Sequence, residues 1–486
     1  MLRGLLSFRD RYRILNYAWV AFFLTFVVWF NYAPFVTVIR EELHLTIAQS
    51  RTISLCNLAL TIPARIIIGT ILDRLGPRVT FSAILIYAAL PCWAFAGAQN
   101  FSQLVLSRLA MGIVGAGFVV GVRLVGDWFE SDDIGLAQGI YGGWGNFGSF
   151  ASQAFLPIVA LANAGFENWR LAIALSGLIS LGFGVLFYLN VQNTPPGKRY
   201  QRSDRGGMEV TSRASFWVLT LTNLPLFLVL GSIAWRLQLV NFLTPHTMYQ
   251  IWLFLVGLFF LQTYHTFEIN REVILGQTIY PAKDRYQIGQ LFILELAYAV
   301  SFGSELAVVS MLPEYFEETF NLGRQIASLV AATYPLMNLV ARPAGGLISD
   351  KSGSRKWALT LTIGGVGLSY LMMSKINPSM GLPWAILLTM FCAFFVFAGA
   401  GATFGIAPLI ERRVTGQIAG NISAYGSVGS VLYAMTYSLL PQTVAGNNAF
   451  FQIIGVTGMV VACLCALLLK EPKVAKGDAE SVTISR

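Results

Sequence analysis

Arg65-Ile-Ile-Ile-Gly69-Thr-Ile-Leu-Asp73-Arg74-Leu-Gly76-Pro-Arg78 recurs later in the chain as Arg342-Pro-Ala-Gly-Gly346-Leu-Ile-Ser-Asp350-Lys351-Ser-Gly353-Ser-Arg355. Arg, Gly, Ile, Asp, Gly and Arg match at one constant offset without a gap. In each copy an apolar run carrying one arginine ends in a short charged turn, and a second apolar run follows. The comparison also pairs Gly115-Ala-Gly117 with Gly399-Ala-Gly401, and Phe147-Gly148-Ser149 with Tyr425-Gly426-Ser427. The chain therefore reads as two related halves in parallel orientation.

The medium around those halves follows from composition. Of 486 residues, 55% are hydrophobic and 12% charged, with mean hydropathy +0.63 and net charge +9. A water-soluble chain carries roughly 25% charged residues, so this one has too little polar surface to stay in water. At about 20 apolar residues per crossing it accommodates roughly 12 to 14 membrane helices. Strands with a clean period of two are absent, which argues against an outer-membrane barrel. The basic residues form no patch interleaved with exposed aromatics, so no nucleic-acid partner is expected. All five cysteines lie in apolar runs and form no disulfide framework. The basic segment Met1–Arg13 leads into a run too long for a signal-peptide core, so the first span is expected to stay.

Apolar runs place six spans in the first half, near Tyr17–Ile39, Ser50–Leu72, Val79–Ala98, Leu104–Val125, Gln138–Ala162 and Leu171–Asn190. Six more follow, near Gln290–Leu312, Ile326–Ser349, Trp357–Met373, Pro383–Gly405, Gln417–Leu440 and Phe450–Leu469. The expected division is 1–192 and 289–470 for the two bundles, 193–288 for a central insert, and 471–486 for a tail. Within the insert, Phe216–Ala234 is long enough to span and Tyr249–His265 is marginal, which leaves crossing or interfacial placement open. Two extra segments preserve the parity of everything after them. Lys and Arg concentrate in the turns at 74–78, 198–213, 351–356 and 412–413 and at both ends of the chain, which places both termini in the cytoplasm. Parallel six-helix repeats are a signature of rocker-type secondary transporters, with the substrate site at the repeat interface near the bilayer midplane.

Gly69-x3-Asp73-Arg74-x-Gly76-x-Arg78, its second copy, and Arg108-x2-Met111-Gly112-x2-Gly115 together resemble the motifs of the major facilitator superfamily. More narrowly, Gly145-Asn146-Phe147-Gly148-Ser149 resembles the nitrate signature of the nitrate/nitrite porter family. The arginine eight residues before each loop Asp is similar to that family too, as is Tyr298-x3-Phe302-Gly303-Ser304-Glu305-Leu306. With the long insert, the likeness is to permeases of cyanobacterial type and covers nearly the whole chain. It implies an all-α major facilitator fold in the cell inner membrane, acting as a monomer on nitrate and nitrite, with no cofactor and no metal. It also implies that Asp73, Arg74, Arg78, Asp350, Lys351 and Arg355 form gate salt bridges, against the plainer reading of a solvated loop.

Helix arithmetic bears on the site independently. Arg65 and Arg342 each precede their loop carboxylate by eight residues, about 12 Å along a helix. Tyr298, Asn146 and Phe118 lie at similar depth on three other spans, near the middle of a core roughly 30 Å thick. A buried arginine costs about 2.5–3.5 kcal/mol on insertion scales. No first-half acid stands at matching depth, so an anion between the two guanidinium groups is favoured over structural ion pairs. The planar fork of arginine suits a planar oxyanion in a way lysine cannot copy. Tyr298, Phe302 and Phe118 are expected to hold the anion flat and Asn146 to donate to it, although plain core packing serves as well for Phe118 and Phe302. Glu295, Tyr298, Phe302 and Glu305 share one helix face, so Glu305 or Glu295 is a candidate proton carrier for symport. A structural pair with a neighbouring helix is the competing reading. Nitrate/nitrite exchange, or transport of another small anion, remains an alternative. Three histidines without metal spacing and no phosphate loop argue against an enzyme or an ATP-driven pump.

Overall fold

The computed structural model describes residues 10–161, 168–202, 207–278, 288–411, 414–441 and 443–472. These residues form helices, and no strand occurs among them. The first half contains α1 (Asp10–Phe30), α2 (Val36–Glu42), α3 (Ile47–Ala59), α4 (Thr61–Leu75) and α5 (Pro77–Tyr87). It continues with α6 (Ala89–Ala96), α7 (Phe101–Gly112), α8 (Gly117–Trp128), α9 (Ile134–Leu161) and α10 (Trp169–Asn190). The insert supplies α11 (Arg213–Leu239), α12 (Pro245–Ile269) and the short α13 (Arg271–Ile274). The second half contains α14 (Ile288–Phe320), α15 (Arg324–Leu336), α16 (Asn338–Lys351), α17 (Arg355–Met373), α18 (Leu382–Ile406), α19 (Thr415–Leu439) and α20 (Val444–Leu468). The tail expected from 471 lies almost wholly outside the described residues.

Several helices are fragments of one rod. α3 and α4 join at Leu60, and α15 and α16 join at Met337, so each break falls five positions ahead of Arg65 or Arg342. Pro63 and Pro335 stand beside these joints, where a missing N–H loosens the helical ladder. The break is thus part of the repeat. Gly76 (φ 89°) and Gly353 (φ 75°) turn the chain after α4 and α16 in the left-handed region that a side chain resists. That backbone requirement explains why glycine recurs at both loops. Side-chain caps fix other starts: Thr46 with Gln49 at α3, Asn100 at α7, Ser212 at α11, Thr244 at α12 and Ser354 at α17.

Ten helices, counted with such fragments joined, are long and apolar enough to cross a membrane among the described residues. Both insert helices are included. α12 runs for 25 residues, longer than the apolar run alone suggested, because Thr244 caps it and Pro245 occupies its first turn. At 1.5 Å per residue it is about 37 Å long, enough to span. The remaining rods, α9, α15–α16, α17 and α19, are not among the ten, and α9 and α19 carry the glycines, hydroxyls and amides that face other helices rather than lipid. The halves meet along two seams, α4 against α19 and α9 against α16. Backbone touches backbone there: a Cβ added at Gly69 would run into the Gly416 carbonyl, and one at Gly346 into that of Gly135. Small residues permit such approach. α11 packs on α19, α14 and α3, bridging both halves, while α12 packs chiefly on α11.

Candidate functional site

Arg65 and Arg342 are both buried, one in each half, and their guanidinium groups meet different members of one ring cluster. Arg65 Nε donates to the Gly115 carbonyl at 3.3 Å. Its Nη1 reaches across the seam to the Ser423 carbonyl and to Ser427 Oγ at 3.0 Å, both on α19. The same group lies 5.3 Å from the Phe302 ring centre and 5.9 Å from Trp29. Arg342 Nη2 donates to Tyr298 Oη at 3.0 Å, and its guanidinium sits 5.4 Å from the Phe118 ring, which belongs to the other half. Arg342 Nη1 has no partner. Neither arginine joins an ion pair among the described residues.

The rings form a column between the two cations. Phe302 stacks on Tyr298 at 5.1 Å and 4°, Tyr298 on Phe118 at 6.2 Å and 5°, and Phe118 on Tyr141 at 5.8 Å and 17°. Phe404 closes the side edge-on, 4.7 Å from Phe118 and 4.9 Å from Tyr298. Glycine clears the space: a Cβ at Gly142 would stand 2.8 Å from Arg342 Nε, and one at Gly426 2.6 Å from the Tyr298 ring. Two buried cations beside parallel rings, one of them with a free guanidinium N–H, make a donor set that can take a small flat anion.

A second polar layer lies beyond the arginines. Asn146 Nδ2 (α9) and Asn338 Nδ2 (α16) both donate to Glu305 Oε1, at 3.3 and 3.0 Å. Glu305 Oε2 and the Oδ1 atoms of both asparagines are buried without partners. A buried carboxylate must find donors, and this one takes them from both halves. Asn146 therefore spends its amide on Glu305 rather than among the rings. Glu295 is equally buried, with Oε2 unpartnered, and lies within electrostatic reach of Tyr425. Tyr425 in turn donates to Thr222 of the insert at 2.5 Å. The two glutamates thus serve different surroundings.

At the end carrying the repeated loops, Asp73 accepts from the Gly416 and Gln417 amides at 3.0 Å each. Asp350 accepts from the Gly135 and Leu136 amides at 3.0 and 2.7 Å. Each half thus caps the first turn of a helix in the other half, α19 or α9, where unpaired N–H groups and the helix dipole favour an anion. The ion pairs expected from the motif differ in detail. Asp350 pairs with Arg355 at 2.7 Å, and Arg355 also donates across the seam to the Ser131 carbonyl. Asp73 pairs instead with Arg123, at 3.5 Å. Arg78 stays in its own half, donating to the Tyr188 carbonyl at 2.7 Å, while Arg74 and Lys351 are exposed. The two loop carboxylates reach across the seam to amides, because a helix start offers two aligned donors that a mobile side chain does not.

Arg123, Asn338, Tyr141, Phe404, Trp29 and Ser423 were not among the expected site residues. Asn338 carried a signal, an amide one turn before Arg342 in an apolar span, and Arg123 another, its i,i+4 spacing to Asp127. A main-chain acceptor such as the Ser423 carbonyl has none. The buried Arg108 is spent elsewhere, on Asn31 Oδ1 at 3.0 Å and the Trp29 carbonyl at 2.8 Å.

The sequence model of the Major Facilitator Superfamily matches residues 18–276 and 294–483. The chain is 53% identical over 480 residues to the nitrate/nitrite transporter NrtP of Nostoc punctiforme, covering 97% of this chain and 95% of that one. It is 51% identical over 509 residues to NrtP of Picosynechococcus sp., with the same coverage. The high-affinity nitrate transporter 2.3 of Oryza sativa is 27% identical over 465 residues, 93% of this chain and 76% of that one. Among solved structures, the proton:xylose symporter XylE superposes with TM-score 0.62 at 14% identity, covering 96% of this chain and 97% of that one. The human organic anion transporter MFSD10 superposes with TM-score 0.61, also at 14% identity, covering 94% and 100%. These two likenesses bear on the fold alone.

Proposed function

The chain belongs to the Major Facilitator Superfamily, in the branch that holds the curated nitrate/nitrite transporters, and from that premise we propose that it imports nitrate and nitrite by alternating access. It is a membrane transporter and not an enzyme. The observation that carries the substrate is the arginine pair: one from each repeat, ring-walled, without a paired carboxylate, and with Arg342 Nη1 unpartnered. A planar monoanion fills that donor set, bridging guanidinium forks while lying parallel to Tyr298, Phe302 and Phe118. Residues 1–192 and 289–470 are the rocking halves, and Asp73 and Asp350 latch the loop end shut. That end and both termini face the cytoplasm, and the protein works as a monomer in the cell inner membrane.

Proton coupling is part of the same reading. A monoanion entering a negative interior is opposed by about 2.3 kcal/mol per 100 mV, so one proton cancels the charge and two let the potential drive uptake. Glu305, held between the halves by Asn146 and Asn338, is the first candidate carrier, and Glu295 the second. One observation favours nitrate/nitrite exchange instead: the two amides satisfy Glu305 Oε1 as they would a permanently charged brace. Uptake of labelled nitrate into proteoliposomes, with a proton gradient or with internal nitrite, separates the two. In that assay Arg65→Lys and Arg342→Lys should each lose about tenfold to a hundredfold in apparent affinity, the value of one or two charged hydrogen bonds. Wild-type affinity in both variants would refute the guanidinium clamp.

A further inference from the structure

Between the insert and the transport core lies a cavity of about 850 Å³, bounded by α4, α11, α12 and α19. On α12 the residues that face it, Ile251, Phe254, Leu255, Leu258 and Leu261, recur at helical spacing and form one apolar stripe. That stripe stands across the gap from the core rather than packed on it: Met248 is the residue buried on α12. Along α11 the lining runs from Leu219 to Leu237, about 27 Å of helix, close to the roughly 30 Å of a hydrocarbon core. The polar lining is not spread evenly. Thr70, Gln262, His265, Thr266, Gln417 and Asn421 gather toward the end that carries the repeated loops, and Asn223 is the polar lining residue deeper along α11. Just outside that end stand the exposed Arg213 and Arg271, with Glu268 and Glu272 beside them.

We propose that this cavity is a phospholipid site, with acyl chain between the α12 stripe and the α4–α19 seam and headgroup at the loop end. Water does not suit walls of this kind, and an empty gap leaves its lining without dispersion partners. The outer face of α12, a helix long and apolar enough to cross a bilayer, exposes Leu253 at 74% and Phe260 at 65%, as a lipid-facing side does. The apolar fluid beside the gap is therefore lipid. A long apolar slot with one polar end matches an amphiphile in both length and polarity, and the two arginines match its phosphate. The lipid would lie directly behind the latch, because Gln417 lines the cavity while its backbone amide is held by Asp73.

Full-length protein purified in mild detergent, washed extensively and extracted for lipid mass spectrometry should retain a stoichiometric phospholipid. Leu230→Trp and Leu258→Trp fill the slot from two sides, away from the arginines and their rings, and each should lose that lipid while still binding nitrate. Retention unchanged in both variants, or no phospholipid retained by the wild type, overturns the proposal. Should the tryptophans prevent folding, the wild type in phosphatidylcholine vesicles doped with a chain-labelled photoreactive phosphatidylcholine gives an independent answer. Crosslinks on Leu226, Leu230 and Leu258 support the site. Crosslinks confined to Leu253 and Phe260 overturn it.

Discussion

Glu305 can be tested without dismantling its surroundings. A glutamine at 305 keeps the Oε1 acceptor used by Asn146 and Asn338, and its new N–H groups can serve their unpartnered Oδ1 atoms. Glu305→Gln should therefore fold and bind nitrate within a few-fold of wild type, but lose the acceleration of uptake by an inward proton gradient. Unchanged stimulation by the gradient clears Glu305 of proton carriage. At this scale the sequence was legible where a residue had a repeated counterpart or a costly chemistry. Arg65 and Arg342 satisfy both conditions, and the helix face of Tyr298 and Phe302 follows from spacing. The direction of the Asn146 amide did not follow, because its partner sits on a helix of the other half, 159 residues away. Nor did the Arg65 anchor on α19, since a carbonyl has no letter in the sequence.

In the proposed transport cycle, closure turns on the helix starts of α9 and α19. Each receives a carboxylate from the opposite half, and a charge at a helix N-terminus is worth about 0.3–1 kcal/mol, up to ~2 where partly buried. Asp350→Asn should thus shift the open-to-closed balance at the loop end by up to about thirtyfold toward open. Spin labels at the exposed positions 74 and 351, one in each half, would report it as a longer distance population. An unchanged distribution removes Asp350 from the latch. The rods themselves were readable from apolar runs, with ends extended by caps such as Thr244 and Thr46 that hydropathy does not register. Their breaks at Leu60 and Met337 were not anticipated, although Pro63 and Pro335 mark both.

For the whole molecule, the insert is a matter of parity. α11 and α12 are each long and apolar enough to cross; if they cross out and back as a pair, the second half keeps the orientation of the first. Replacing residues 213–274 by a short polar linker should leave a C-terminal tag on its original side, as read by protease access in sealed vesicles. Removing residues 245–269 alone should displace or destabilise the second half. A tag that changes sides in the first deletion would mean that the insert does not cross as a pair. The twofold repeat was evident in two short stretches of sequence. The packing of α11 across both halves was not, because apolar composition specifies burial without naming the neighbour.

The latch end closes backbone on backbone, with Gly69 against Gly416 and Gly135 against Gly346. In the proposed opening of that end, the amides of Gly135, Leu136, Gly416 and Gln417 lose their carboxylates and the glycine faces have no side chains to cover them, so solvent takes up the bonds and space left behind. Opening is then a hydration step whose position depends on water activity. Sucrose, too bulky for the new crevice and excluded from protein surface, should hold that end shut and slow nitrate turnover as its concentration rises on that side alone.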